Sequence, residues 1–180
     1  MSKLKTGLSA GEYAILGLLR ERPMHGYEVS RRFAADLDLG LVLPMDMSTV
    51  YALLKELHEQ GLIEGQRETV GLRPPRTVYH LTPEAEHQLA QWLEEPVARL
   101  REVRADLLVK LYFCREIGNA ATARLLDAQL AASNAYLQRA ERLAAEAAPE
   151  SFERLVRESK VTAACATVAW LAAERERLAG

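Results

Sequence analysis

The apolar positions of the first 96 residues change period along the chain, and each change marks an element. In "SAGEYAILGLLRERP", Tyr13, Ile15, Leu16, Leu18 and Leu19 share one broad helical face. Ser9 precedes that helix with Glu12 three residues on, the spacing of a capping box, and Pro23 follows its end. "HGYEVSRRFAAD" continues with Tyr27, Val29 and Phe33 inward and Arg31 and Arg32 outward, and "LGLVLPMD" reads as a connector. "MSTVYALLKELHEQGLIEG" then predicts a third helix. Val50, Leu53, Leu54 and Leu57 fall on one arc of about 100°, with Ser48, Ala52, Lys55 and Glu59 opposite and Thr49 and Tyr51 on the flanks. Gly61 stands where a left-handed C-terminal residue is wanted, and Leu62 follows as its apolar partner.

Beyond Leu62 the pattern turns strand-like. "LIEGQRETV" and "RTVYHLT" predict two strands, and "GLRPPR" between them predicts a projecting tip with Arg73 and Arg76. Thr82 and Pro83 supply an N-cap and a first helical position, Ala85, Leu89, Trp92 and Leu93 an inner face, and Pro96 a stop. Helix, helix, helix, strand, loop, strand, helix is the order of a winged helix-turn-helix with a two-stranded wing.

After Pro96 glycine nearly disappears and alanine rises. Three helices are expected: "ADLLVKLYFCREIG", a long one from Asn119 as N-cap, and, beyond Pro149, another long one. The second carries Leu126, Leu130, Ser133, Leu137, Ala140 and Ala144 on a stripe, and the third Phe152, Val156, Ser159, Ala163, Ala166, Trp170 and Ala173. Each long helix would run about 40 Å. Narrow alanine-rich stripes suit close helix packing, and two such helices cannot bury both stripes without a partner. The expectation is a mainly α protein: a winged-helix DNA-binding domain over 1–96 and a helical dimerisation domain over 97–180.

Charge lowers the expectation of nucleic-acid binding without removing it. The 180 residues carry a net charge of −2. Residues 1–80 hold ten Lys/Arg against ten Asp/Glu, so a DNA surface has to be a local patch on a neutral region. No apolar run approaches the roughly 18–20 residues of a membrane span, and the start lacks the apolar core of a signal peptide. Two isolated cysteines, Cys114 and Cys165, fit a reducing compartment and are expected to be small buried apolar residues. These features predict a soluble, cytoplasmic chain. His25, His58, His80 and His87 show no metal-ligand spacing, and no phosphate-binding glycine loop or nucleophile elbow occurs. Neither a metal, a cofactor nor an enzymatic activity is expected.

The polar side of the third helix is the candidate site. A helix fits the roughly 12 Å major groove of B-DNA. Ser48 and Thr49 can donate to phosphate or base edges, Tyr51 can reach a phosphate, Ala52 permits close approach, and Lys55 adds charge. Arg73 and Arg76 would reach the backbone or the minor groove, and Lys3 and Lys5 could add distal contacts. His25 and Tyr27 join this set, although His25 at a helix entrance is also a natural polar cap, with Gly26 allowing tight packing. Trp92 and Trp170 read first as large core residues.

"EYAILGLLRERPMHGYEVSRRF", "MSTVYALLKELHEQGLIEG" and "RPPRTVYHLTPEA" together resemble the PadR family of bacterial transcriptional regulators. "DLLVKLYF" and the late Trp170 are similar to the helical C-terminal region of its virulence-activator subgroup. Two positions depart from the family pattern: Ala85, where glycine is usual, and Ser48-Thr49, where Gly-Thr usually opens the third helix. The resemblance implies a homodimer with interlocked C-terminal helices, a pseudo-palindromic double-stranded DNA operator, repression, and in some members release by small planar aromatic effectors, whose pocket Trp92 and Trp170 could line if they are not simply core residues. A winged-helix protein-interaction module without specific DNA binding is the alternative, and its neutral first 80 residues suit it.

Overall fold

The computed structural model describes residues 7–68 and 76–179. The chain divides into two compact units, Met1–Trp92 and Leu93–Gly180.

In the first unit, α1 (Ala10–Glu21) is opened by the expected capping box: Glu12 N–H donates to Ser9 Oγ, and Glu12 Oε2 accepts from Ser9 N–H at 2.7 Å. Its Ala14, Ile15, Leu16 and Leu18 are fully buried. A two-residue strand β1 (Met24–His25) leads into α2 (Gly26–Arg31). The connector expected after α2 contains a short helix, α3 (Asp38–Val42), whose Leu39 is buried while Leu41 faces solvent. Gly40 allows it to form there, because a Cβ at that position would lie 1.8 Å from the Ala34 carbonyl oxygen.

Helix α4 (Met47–Glu59) buries Val50, Leu54 and Leu57 completely. Its end is a Schellman turn. Leu62 N–H donates to Leu57 O and Gly61 N–H to His58 O, both at 3.0 Å, with Gly61 at φ 72°. Strands β2 (Ile63–Glu68) and β3 (Arg76–Leu81) pair antiparallel, from Ile63 opposite Leu81 to Glu68 opposite Arg76. This is the two-stranded wing, and β1 adds a short third strand on the far side of β3, Met24 opposite Tyr79. Thr82 caps α5 (Pro83–Glu94), accepting from Ala85 N–H and donating to Leu62 O at 3.0 Å.

The second unit holds a 3₁₀ turn (Leu100–Arg104), α6 (Asp106–Ile117), α7 (Asn119–Glu146) and α8 (Phe152–Ala179). Asn119 is the first helical residue of α7; the N-cap is Gly118, at φ 131°, a conformation glycine adopts readily. The buried line of α7 runs through Thr122, Leu126, Gln129, Ser133, Ala140 and Ala144, close to the expected stripe. Gln129 pins the segment before the 3₁₀ turn: its Oε1 accepts from Val97 N–H at 2.7 Å and its Nε2 donates to Val97 O.

Helix α8 departs from expectation. Its buried residues are Ala164 and Leu171, whereas Phe152, Ser159, Ala163 and Ala166 of the expected stripe are exposed and Trp170 is half-buried. The buried line lies about 100°, one residue, around the helix. Alanines on several sides leave the orientation to packing and to Arg175, which grips Asp127 of α7 through two hydrogen bonds. Cys114 is buried, but Cys165, expected to be buried as well, is exposed.

Candidate nucleic-acid interface

The buried leucines of α4 fix what its other side presents. With Val50, Leu54 and Leu57 inward, Ser48, Thr49, Tyr51, Ala52 and Lys55 are all exposed. The first turn is already supplied with an anion. Asp46 is the N-cap, and its Oδ1 accepts from Thr49 N–H at 2.7 Å and from Ser48 Oγ at 2.9 Å. These bonds, the Thr49 backbone first, hold the Asp46 carboxyl below the ordinary aspartate range. Ser48 therefore directs its hydroxyl proton at Asp46, and a phosphate at this helix end would meet a carboxylate. The approachable part of α4 is its side, at Tyr51, Ala52 and Lys55. Lys55 pairs loosely with Glu59, 3.7 Å away and one turn on.

Tyr51 is seated by its neighbours. A Cβ on Gly26 would come within 2.7 Å of Tyr51 Cε1, so the missing side chain of Gly26 makes room for the ring. Tyr79 of the wing titrates above the ordinary tyrosine range, chiefly through burial and further through the nearby Tyr51 hydroxyl. Tyr51 thus joins α4 to α2 on one side and to the wing on the other.

His25 opens α2 with a capping box: its Nδ1 accepts from Glu28 N–H and its own N–H donates to Glu28 Oε2 at 3.1 Å. Burial pushes the Glu28 carboxyl up, but the hydrogen bond from His25 N–H and the nearby Arg22 guanidinium outweigh it and leave it lowered. Tyr27 is half exposed, its ring 6.3 Å from that of His25. Arg73, Lys3 and Lys5 lie outside the described residues.

In the wing, directly opposed residues share a face. Gly65, Arg67, Thr77 and Tyr79 form one face, the one beside Tyr51; Arg76 alternates with them, lies on the face of buried Val78, and pairs with Glu68 at 3.7 Å. Arg67, exposed on the Tyr51 side, was not among the expected residues, and neither were Asp46 and Tyr79. Asp46 had a readable signal, an N-cap residue three positions before Thr49; Arg67 becomes visible only once the strand register is known.

The two tryptophans fall in different units. Trp92 stacks on Tyr13 with ring centroids 4.2 Å apart, and Trp170 is half-buried on α8. Among the described residues no cluster of His, Cys, Asp or Glu suits a metal ion, and no helix is long and apolar enough to cross a membrane.

Residues 15–91 match the Transcriptional regulator PadR-like family. The Negative transcriptional regulator PadR of Bacillus subtilis is 30% identical over 145 residues, 78% of this chain and 79% of that protein. The chain belongs to the PadR family. Residues 103–179 match the Virulence activator alpha C-term family, so this PadR-family chain carries that extension over most of its second unit. Among solved structures, it is similar to Bacillus subtilis PadR in complex with operator DNA, at 26% identity and TM-score 0.44 over 93% of this chain and 98% of that one. A PadR-like regulator from Bacillus cereus is 29% identical with TM-score 0.38, covering 44% of this chain and 74% of that one.

Proposed function

We propose that the chain is a cytoplasmic, homodimeric, sequence-specific DNA-binding repressor. The observation that carries this reading is the exposed side of α4, set by its buried leucines and continued by the Tyr79–Arg67 face of the wing. Tyr51, Ala52 and Lys55, with Ser48 and Thr49 at the helix start, enter the major groove. Arg67 contacts the DNA backbone from the Tyr79 face of the wing, Arg76 and Arg73 reach the backbone from beyond that face, and His25 and Tyr27 flank the contact. Membership of a family of transcriptional regulators, and a relative named as a negative one, support the same reading.

Lys55 and Arg76 are held by exposed ion pairs worth only about 0–1 kcal/mol, so a phosphate can replace Glu59 or Glu68 at little cost. Residues 97–180 form the dimerisation domain, supported by the exposed apolar side of α8, where Phe152 is 79% and Leu155 63% exposed. Two α4 helices related by the dimer axis read a pseudo-palindromic operator. Small aromatic compounds act as effectors, with Trp170 of the second unit as a candidate contact.

Fluorescence anisotropy on the duplex upstream of the protein's own coding region, beside a scrambled duplex and at two salt concentrations, tests this. The expected result is preference for the upstream duplex and a steep loss with salt. Lys55→Ala and Arg76→Ala should each flatten the salt dependence by about one unit of slope. Normal binding by both variants at every salt would remove the assigned surface. If neither duplex is bound, a random-library selection decides: recovery of no sequence at all would favour the protein-docking alternative.

A further inference from the structure

Helix α4 begins with an uncompensated carboxylate. Asp46 is exposed, and among the described residues no Lys or Arg pairs with it. Its hydrogen bonds, from the Thr49 backbone first and then from the Thr49 and Ser48 hydroxyls, keep it charged at neutral pH. A cap does not require that charge, because asparagine and serine close a helix start about as well as aspartate. The helix dipole favours the carboxylate, but only weakly at an exposed end. On a helix that meets DNA the charge is a handicap, since phosphates within a Debye length of about 8–10 Å repel it.

The same hydrogen bonds set what the first turn offers outward. Ser48 directs its one hydroxyl proton at Asp46, so its remaining capacity is lone pairs. An ionised carboxylate has about four acceptor sites and no proton to give, and the Ser48 and Thr49 donors do not fill them. The start of α4 therefore presents acceptors. In the major groove that is selective: guanine N7 and O6, adenine N7 and thymine O4 are acceptors and are repelled, whereas the exocyclic amines of cytosine and adenine donate. Adenine carries its N7 acceptor beside the amine. Cytosine has no acceptor on that edge, so a carboxylate meets its N4 amine unopposed.

We propose that Asp46 is a specificity-determining residue, accepting from the N4 amine of a cytosine in each half-site, with Ser48 Oγ as a second acceptor beside it. The carboxylate lowers affinity for DNA in general and is compensated only where an amine stands opposite. This rests on the reading of α4 as the helix that enters the major groove.

The experiment is random-library selection with the full-length protein and with Asp46→Asn, followed by competition binding on the selected duplex, its single-base-pair variants and a scrambled duplex. Asparagine keeps the cap, so thermal melts should match the parent. The parent should select a cytosine at one position of each half-site and lose about tenfold in affinity when that pair is replaced in one of them. Asp46→Asn should lose this preference or transfer it to adenine, which asparagine reads through N6 and N7. It should also bind the scrambled duplex about twofold more tightly, one repelling charge having gone. A residue that only caps would move neither result. A cytosine preference retained in Asp46→Asn, or a parent consensus without such a cytosine, would overturn the proposal and leave DNA binding standing. If the parent enriches no sequence at all, the DNA-binding reading fails and the proposal fails with it.

Discussion

Helices α4 and α8 are both amphipathic, yet one has its buried side written plainly and the other does not. In α4 the inward residues are Val50, Leu54 and Leu57 and the outward ones are small, hydroxylic or charged, so the contrast across the helix is large. In α8 alanines occupy Ala163, Ala164, Ala166 and Ala169 on different sides, and Ala164 is buried while its neighbour Ala163 is exposed. An alanine methyl contributes little to burial and fits either a solvated or a packed face, so hydropathy alone cannot orient such a helix. The apolar stripe readable in the sequence of α8 is real, but in the single chain it is the side that α7 leaves uncovered. That is what an interface between chains would need.

The largest expected effect tests this difference one residue at a time. Ala164→Asp places a carboxylate in a fully buried position against α7, where an unpaired buried charge costs several kcal/mol, about 3–5, and should melt the second unit in circular dichroism. Ala163→Asp, one residue and 100° away, should leave the helices intact and instead lower the mass measured by light scattering from dimer to monomer. If Ala163→Asp remains a dimer of unchanged stability, the exposed stripe is not the interface.

The glycines of the first unit sharpen the other side of the comparison. Gly26→Ala would push on the ring of Tyr51, and a ring can swing aside. Its stability should stay near the parent, while DNA affinity falls by about 1 kcal/mol, roughly fivefold, because Tyr51 is displaced. In a Tyr51→Ala background the same substitution should cost no further affinity; an additive loss would mean that Gly26 acts in some other way. Gly40→Ala meets the Ala34 backbone carbonyl, which cannot swing, and should unfold α3 and lower the melting temperature with it.

Most of the winged helix was legible because its ends are marked by groups with one purpose. Ser9 with Glu12, Gly61 with Leu62, and Thr82 with Pro83 each satisfy helix-terminal groups in the manner their spacing suggests. The exposed side of α4 followed from its leucines. Three parts of the site were hidden. Asp46 lies outside the apolar pattern, and only its three-residue spacing to Thr49 signals the cap it supplies. Arg67 needed the strand register to show that it, and not Arg76, shares the face of Tyr79. The seat of Tyr51 on Gly26 depends on an approach between α4 and α2 that no local pattern encodes. In the second unit, Gln129 is a polar residue in an apolar line, and only the folded chain shows that its amide matches the Val97 backbone.

The smallest expected effect concerns a charge cluster that the same alanine-rich half conceals. Lys110 of α6 is 2% exposed and donates to the Glu95 carbonyl, one turn from Asp106. Burial pulls the Lys110 ammonium below its ordinary range. Burial, and then the Glu102 charge, raise the Asp106 carboxyl despite the opposing Lys110 charge. For an acid whose folded value is raised, the stabilising contribution is fully present below the unfolded value, about 3.9 for aspartate, and is lost as the pH climbs through the folded value. Asp106→Asn mimics the protonated acid at every pH. The variant should therefore match the parent near pH 3.5 and gain on it toward neutrality, by under about 1 kcal/mol once solvent screening is allowed for. Denaturant melts of both proteins at acid and neutral pH measure the difference. A gap that does not widen as the pH rises would mean that Lys110 compensates Asp106 fully, and that the cluster is a settled ion pair.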